Sequence, residues 1–338
     1  MKDIERIRVN YTADPRRYEG VTPTRRMGNS GLVMPEMSLG FWWNFGAYNT
    51  YGDSLDKMMY AFDHGIFCFD LANNYGPPFG AAEETFGRMM KQCFMPHRRE
   101  MIITSKAGYD MWPGPNGTGS SRKMLMGSLD ESLQRMGLDY VDIFYSHRYD
   151  GITPIEETMQ ALVDIVRSGK ALYVGLSNYP VEKLAQCVDY LEARDVHPVI
   201  YQGKYNMLSR EPEAGHLQYC DEHGMAFTAF CPVMKGLLTD KYLNGIPADS
   251  RAALGNAVSK ADIDAVHDKI VRLNDLALQR GNTLAQMATA WLMRRKEVTS
   301  VIIGPRTVDQ LKDSLIALHV APFSDEELTM IDNILAQK

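Results

Sequence analysis

In the segment FDLANNYGP, from Phe69 to Pro77, a carboxylate, Asp70, stands at the end of an apolar run, and a phenol, Tyr75, follows a few residues on. Two later apolar runs also end in groups that handle protons: MIITSK delivers Lys106 and VDIFYSH delivers His147. A carboxylate, a phenol, an ammonium and an imidazole brought together make a proton-transfer site. Taken singly, each has a structural reading: a loop cap, a packed ring, a solvated strand end, a satisfied core histidine. They are far apart in the chain, so one site requires a fold that gathers strand ends on one face. A (β/α)8 barrel does this at its C-terminal mouth.

The elements that would position these groups are legible. From about Met37 short apolar strands alternate with amphipathic helices about eight times, the rhythm of parallel β/α units. Strands are expected at MSLG from 37, FCFD from 67, MIITS from 101, VDIFYS from 141, ALYVGLS from 171, VIYQ from 199, AFTAF from 226 and TSVIIG from 299. Their near-continuous apolar character suits strands covered on both faces. Helical spacing links Leu55, Met58, Met59 and Phe62, then Met159, Leu162, Val163 and Val166, then Leu284, Met287, Ala288, Trp291 and Leu292. Thr153 with Glu156 reads as a capping box around Pro154, opening a helix that runs to Gly169; Thr307 with Gln310, and Ser324 with Glu327, open the last helices. Two segments interrupt the rhythm. One is the glycine- and proline-rich stretch from Gly108 to Lys123; the other runs from Lys235 to about Asn282 and holds the helix-like ADIDAVHDKIVRLNDLALQRG. The expected fold is α/β, a (β/α)8 TIM barrel forming a single domain over residues 1–338, with a polar N-terminal extension over 1–24.

A chain of 338 residues, 45% hydrophobic, can bury a full core. Its formal net charge of −6, with acids and bases interspersed, lacks the basic stripe of a nucleic-acid binder. The polar N-terminal residues lack a signal peptide's apolar centre, and no segment approaches the ~18 apolar residues of a membrane span. A soluble cytoplasmic protein is therefore expected, with its five scattered cysteines as reduced thiols. Eight histidines show no HxH or HExxH spacing, so no metal site is expected. No GxGxxG follows a strand, so a Rossmann dinucleotide fold is not supported.

Asp70, Tyr75, Lys106 and His147 resemble the catalytic tetrad of the aldo-keto reductase superfamily, and the resemblance covers roughly Arg25 to Leu335. LANNYGPP, AGYDMWPGP, QRMGLDYVDIFYSHR and GLLTDKYLNGIP place the chain near the branch of bacterial L-glyceraldehyde-3-phosphate and methylglyoxal reductases and potassium-channel β subunits. The resemblance implies NADPH-dependent reduction of small aldehydes or ketoaldehydes. In that chemistry an acid must protonate the oxygen as hydride reaches the carbon. Tyr75 is the expected acid; Lys106, held by Asp70, is expected to lower its pKa from about 10, and His147 to bind the substrate oxygen. The alternative is a cofactor-sensing binding subunit. Channel subunits carry asparagine where this chain has His147, which favours turnover.

By the same resemblance, nicotinamide would be held by Ser177, Asn178 and Gln202 and stacked on Phe230, with Pro232 beside it in FCPV. Lys241 and Arg251, in a long cofactor-covering loop before the last strand, would bring positive charge to the phosphates. The segment IIGPRTVDQLKDSL would receive the adenosine phosphate at Gly304, Arg306 and the helix opened by Thr307, with Gln310 and Asp313 facing adenosine. Here the chain departs from the branch: Pro305 and Arg306 replace a common Ala-Ser, and Ser314 replaces an asparagine, which bears on the choice of NADP over NAD. Trp42, Trp112 and Arg148 are the candidate substrate contacts, the two rings as walls and the guanidinium for a phosphate. The expected partner is a small carbonyl compound, with no nucleic acid and no membrane; relatives in the branch can assemble into larger rings, which makes a second copy of the chain a candidate partner.

Overall fold

Each of the eight apolar runs becomes a strand. A computed structural model describes residues 11–248, 250, 252, 253, 255 and 258–337. A short antiparallel hairpin, β1 (Thr24–Arg26) and β2 (Val33–Pro35), precedes the barrel strands β3 (Met37–Gly40), β4 (Cys68–Asp70), β5 (Ile102–Ala107), β6 (Val141–Ser146), β7 (Ala171–Ser177), β8 (Pro198–Lys204), β9 (Ala226–Phe230) and β10 (Val298–Ile303). These eight pair in parallel, in chain order, and β10 closes on β3 through Val301 and Met37. The expected TIM barrel is the observed fold.

The helices are α1 (Tyr51–Asp63), α2 (Ala81–Met89), α3 (Arg122–Met136), α4 (Ile155–Arg167), α5 (Val181–Glu192), α6 (His216–Glu222), α7 (Lys260–Asp264), α8 (His267–Gln279), α9 (Leu284–Met293), α10 (Val308–Ile316) and α11 (Asp325–Ala336). Ser324 and Glu327 form the expected capping box on α11. On α10 Thr307 accepts from Gln310 N, but the Gln310 side chain closes instead on Arg306 N at 2.8 Å. The expected box at Thr153 does not form. Its hydroxyl donates to Asp150 Oδ2 at 2.7 Å, and α4 starts from Pro154 without a side-chain cap. The 261–281 stretch, read as continuous, is two helices, α7 and α8, broken near Ala265.

Alternate residues of the barrel strands point inward. Cys68, Ile102, Ile143 and Ile200 fill the lower interior, and Met27 and Met34 of the hairpin pack against them as a plug. The hairpin turn presses so closely on the chain near α6 that a Cβ at Gly28 (φ 52°) would lie 1.9 Å from Gly224 O. Further along β4, β5 and β8 the inward residues turn polar: Asp70, then Thr104 and Lys106, and Gln202, all buried. Residues 11–24 pack against α1, with the Tyr11 hydroxyl donating to Asp63 at 2.8 Å and Thr22 Oγ1 to His64 O at 2.6 Å.

Candidate active site

Parallel pairing sets the site. Register puts Asp70 beside Thr104 and Lys106 beside Tyr145, so both charged groups reach the upper interior on adjacent strands. Lys106 Nζ is fully buried and donates to Asp70 Oδ2 at 2.7 Å, Leu71 O at 2.7 Å and Tyr75 Oη at 3.2 Å. An ammonium has three protons, and all three have partners. His147 follows β6; its ring lies 5.9 Å from that of Tyr75 and edge-on to Tyr109 at 4.7 Å, centroid to centroid. The four expected groups therefore converge at the C-terminal mouth.

The loop carrying Tyr75 is interlocked with the loop after β3. Ala47 N donates to Pro77 O at 2.9 Å and Gly76 N to Trp42 O at 3.3 Å. A Cβ at Gly46 would stand 2.5 Å from Pro77 O, so only glycine permits this approach. Lys57, buried on α1, donates to Asn44 O at 2.7 Å and lies 4.1 Å from the centre of the Phe45 ring. The Asn44 side chain donates in turn to Gly304 O at 3.0 Å, tying this loop to the one after β10.

Burial dominates the electrostatics. Desolvation pushes the Tyr75 phenol well above its usual range, and the charge of Asp70 adds to the rise. The lowering expected from Lys106 is therefore outweighed by burial. Desolvation also lowers the Lys106 ammonium, opposed by Asp70. It takes His147 well below the ordinary imidazole value, with Lys106 and Arg148 adding to the drop, so the ring is neutral at physiological pH. Its Nδ1 is buried without a hydrogen-bond partner among the described residues.

The other expected residues fall into three groups. Ser177, Asn178 and Gln202 lie at neighbouring strand ends: Asn178, at φ 55°, donates to His147 O and Ser177 Oγ, each at 3.0 Å, whereas Gln202 Nε2 donates to Asp70 Oδ1 at 2.9 Å. Phe230 ends β9 and Pro232 follows it, while Lys241 sits in a short turn stabilised by Thr239. Arg251 lies outside the described residues. A Cβ on Gly304 would meet nothing within 4 Å among the described residues, so these leave open space before it. Arg306 is exposed, and Asp313 accepts from Gln286 Nε2 at 2.5 Å, facing α9. Trp42 and Trp112 are 40% and 45% exposed, the second anchored through Nε1 to Pro115 O at 3.2 Å. Arg148 donates to Gly108 O and Thr118 Oγ1, each at 3.0 Å, and so pins the loop after β5. Thr104, Tyr109 and Asn44 were not foreseen. Thr104 had a signal, lying two residues before Lys106 on the same strand face; the others had none.

A buried carboxylate, ammonium and phenol at the mouth of a parallel barrel, with polar strand ends beside them, make an arrangement suited to proton transfer. Residues 36–336 match the model of the Aldo/keto reductase family, and the chain belongs to that family. It is 49% identical over 332 residues to L-glyceraldehyde 3-phosphate reductase of Escherichia coli (strain K12), covering 96% of each chain. It is also 35% identical over 304 residues to a probable voltage-gated potassium channel subunit beta of Arabidopsis thaliana, covering 88% of this chain and 92% of that one. Among the described residues no helix is long and apolar enough to cross a membrane. Nor, among them, could any group of three or more His, Cys, Asp or Glu side chains hold a metal ion.

Proposed function

We propose that this chain, acting as one domain, reduces small aldehydes and ketoaldehydes with NADPH, with glyceraldehyde 3-phosphate and methylglyoxal as the leading substrates. The observation that carries the reading is the full commitment of Lys106 Nζ to Asp70, Leu71 O and Tyr75 Oη at the barrel mouth. A bound reduced nicotinamide dinucleotide would supply the hydride. The residues present fit such a group: hydroxyl and amide donors at Ser177, Asn178 and Gln202, the rings of Phe230 and Pro232, and open space at Gly304 before the N-terminus of α10, where Arg306 adds charge. Lys241, Arg251, Gln310 and Asp313 complete the proposed set.

Neutral His147 donates a hydrogen bond to the carbonyl oxygen and orients it. Tyr75 gives its proton to that oxygen as charge develops there. The hydrogen bond from Lys106 then stabilises the phenolate left behind, and Asp70 keeps the ammonium charged. Trp42 and Trp112 wall the substrate, and Arg148 directs its positive charge toward a phosphate from the loop it pins. The 49% identical relative, named for reduction of L-glyceraldehyde 3-phosphate, supports that substrate.

An NADPH-oxidation assay across a panel of small carbonyls, run beside NADH, tests the proposal. Turnover is expected with glyceraldehyde 3-phosphate and methylglyoxal, faster with NADPH. A protein inert across the panel that still binds NADPH tightly would instead act as a cofactor-sensing subunit.

A further inference from the structure

The two oxygens of Asp70 are held differently. Oδ2 accepts the Lys106 ammonium, whereas Oδ1 accepts two neutral donors, Thr104 Oγ1 at 3.0 Å and Gln202 Nε2 at 2.9 Å. Thr104 is the register partner of Asp70 on β5; Gln202 reaches Asp70 from β8, across the barrel. A carboxylate only accepts, so the nitrogen of the Gln202 amide must be the atom that faces it. The same amide bears on a second buried phenol, Tyr145, pulling it down against the rise that burial imposes. Asp70, Lys106, Tyr109, Tyr145, His147 and Cys231 are the titratable groups facing Tyr75 among the described residues, and the Asp70 charge is the strongest of the charges that raise it. Two neutral donors on Oδ1 disperse that charge. Without either, more of it bears on the phenol and the proton is held more tightly.

We propose that Thr104 and Gln202 are positioning residues for the proton donor, and that Gln202, by also meeting the nicotinamide amide, couples dinucleotide binding to proton delivery by Tyr75. The inference rests on the reading of Tyr75 as the acid. Thr104 makes it separable from simple cofactor binding, because its hydroxyl is committed to Asp70.

The experiment compares Thr104→Val, Thr104→Ser and Gln202→Met with the wild type. It measures methylglyoxal reduction as a function of pH and NADP+ affinity by fluorescence. In parallel, 3,5-difluorotyrosine replaces Tyr75 and its 19F resonance is titrated in the cofactor-free protein. Thr104→Val is expected to lower kcat about tenfold, the effect of one lost hydrogen bond to a charged group. Its NADP+ affinity should stay within about twofold of the wild type, since Thr104 is not proposed to touch the dinucleotide. Thr104→Ser should restore kcat, and Gln202→Met should lose both kcat and NADP+ affinity. In the Val and Met variants the 19F titration should move to higher pH. Unchanged kcat and titration in Thr104→Val, with Gln202→Met altered only in NADP+ affinity, would overturn the proposal. A wild type that reduces no carbonyl would sink the functional reading instead; the cofactor-free titration would still decide whether Thr104 and Gln202 set the proton affinity of Tyr75. Repeating it with NADP+ bound would decide the coupling, a shift on binding that Gln202→Met abolishes supporting it and no such shift overturning it.

Discussion

At Tyr75 two effects oppose each other, and burial wins at rest. The Lys106 hydrogen bond favours the phenolate, yet desolvation and Asp70 hold the phenol protonated. In the proposed mechanism Tyr75 is therefore a stored acid whose partner acts after the proton leaves. Tyr75→Phe should reduce carbonyl turnover by about 10²–10⁴-fold while NADPH affinity, measured by fluorescence titration, stays near wild type. His147 offers a stability test. Its folded pKa is depressed, so below the ordinary imidazole value near 6.5 the unfolded chain binds the extra proton and stability falls with pH. Between pH 7 and pH 5.5, urea denaturation should show the wild type losing about 1 kcal/mol more than His147→Asn. The identities of these residues were legible because each stands at or just after an apolar run. Their proton affinities were not, because they depend on enclosure by groups such as Tyr109 and Cys231 that pattern alone does not bring near.

At the scale of elements, apolar runs and helical spacing located every barrel strand, since both follow from which side chains must leave water. End chemistry was less legible where a competitor stood nearby. Thr153 has the right neighbour in Glu156, yet Asp150 lies three residues earlier and takes its hydroxyl. Helix α1 hides another device. Lys57 is an ammonium buried beneath the loop after β3, and burial pushes its pKa down to about 8. From about pH 8 to 10.5 the unfolded chain holds a proton that the folded chain has lost, so stability should rise across that window. In Lys57→Met the rise should shrink by about 2 kcal/mol, read as the difference between denaturation curves at pH 8 and pH 10.

At the scale of the molecule, one interior serves two purposes: an apolar lower half closed by the β1–β2 hairpin and a polar upper half that holds the site. The hairpin escaped sequence reading because strands of three residues carry too little alternation to register. Met34→Ala should nevertheless lower stability by about 2–5 kcal/mol in chemical denaturation, since Met34 fills the barrel floor. The link from Gln202 to Asp70 was equally hidden: 132 positions separate the two residues, and only ring closure makes them neighbours. The crowding around Lys106 has one more chemical result. A primary amine placed next to aldehydes invites condensation to an imine, which would inactivate the protein with its own substrate. With every N–H engaged and no face open to solvent, Lys106 has neither a lone pair nor an approach path to offer, so a pocket proposed for reactive carbonyls keeps a lysine at its centre without becoming their target.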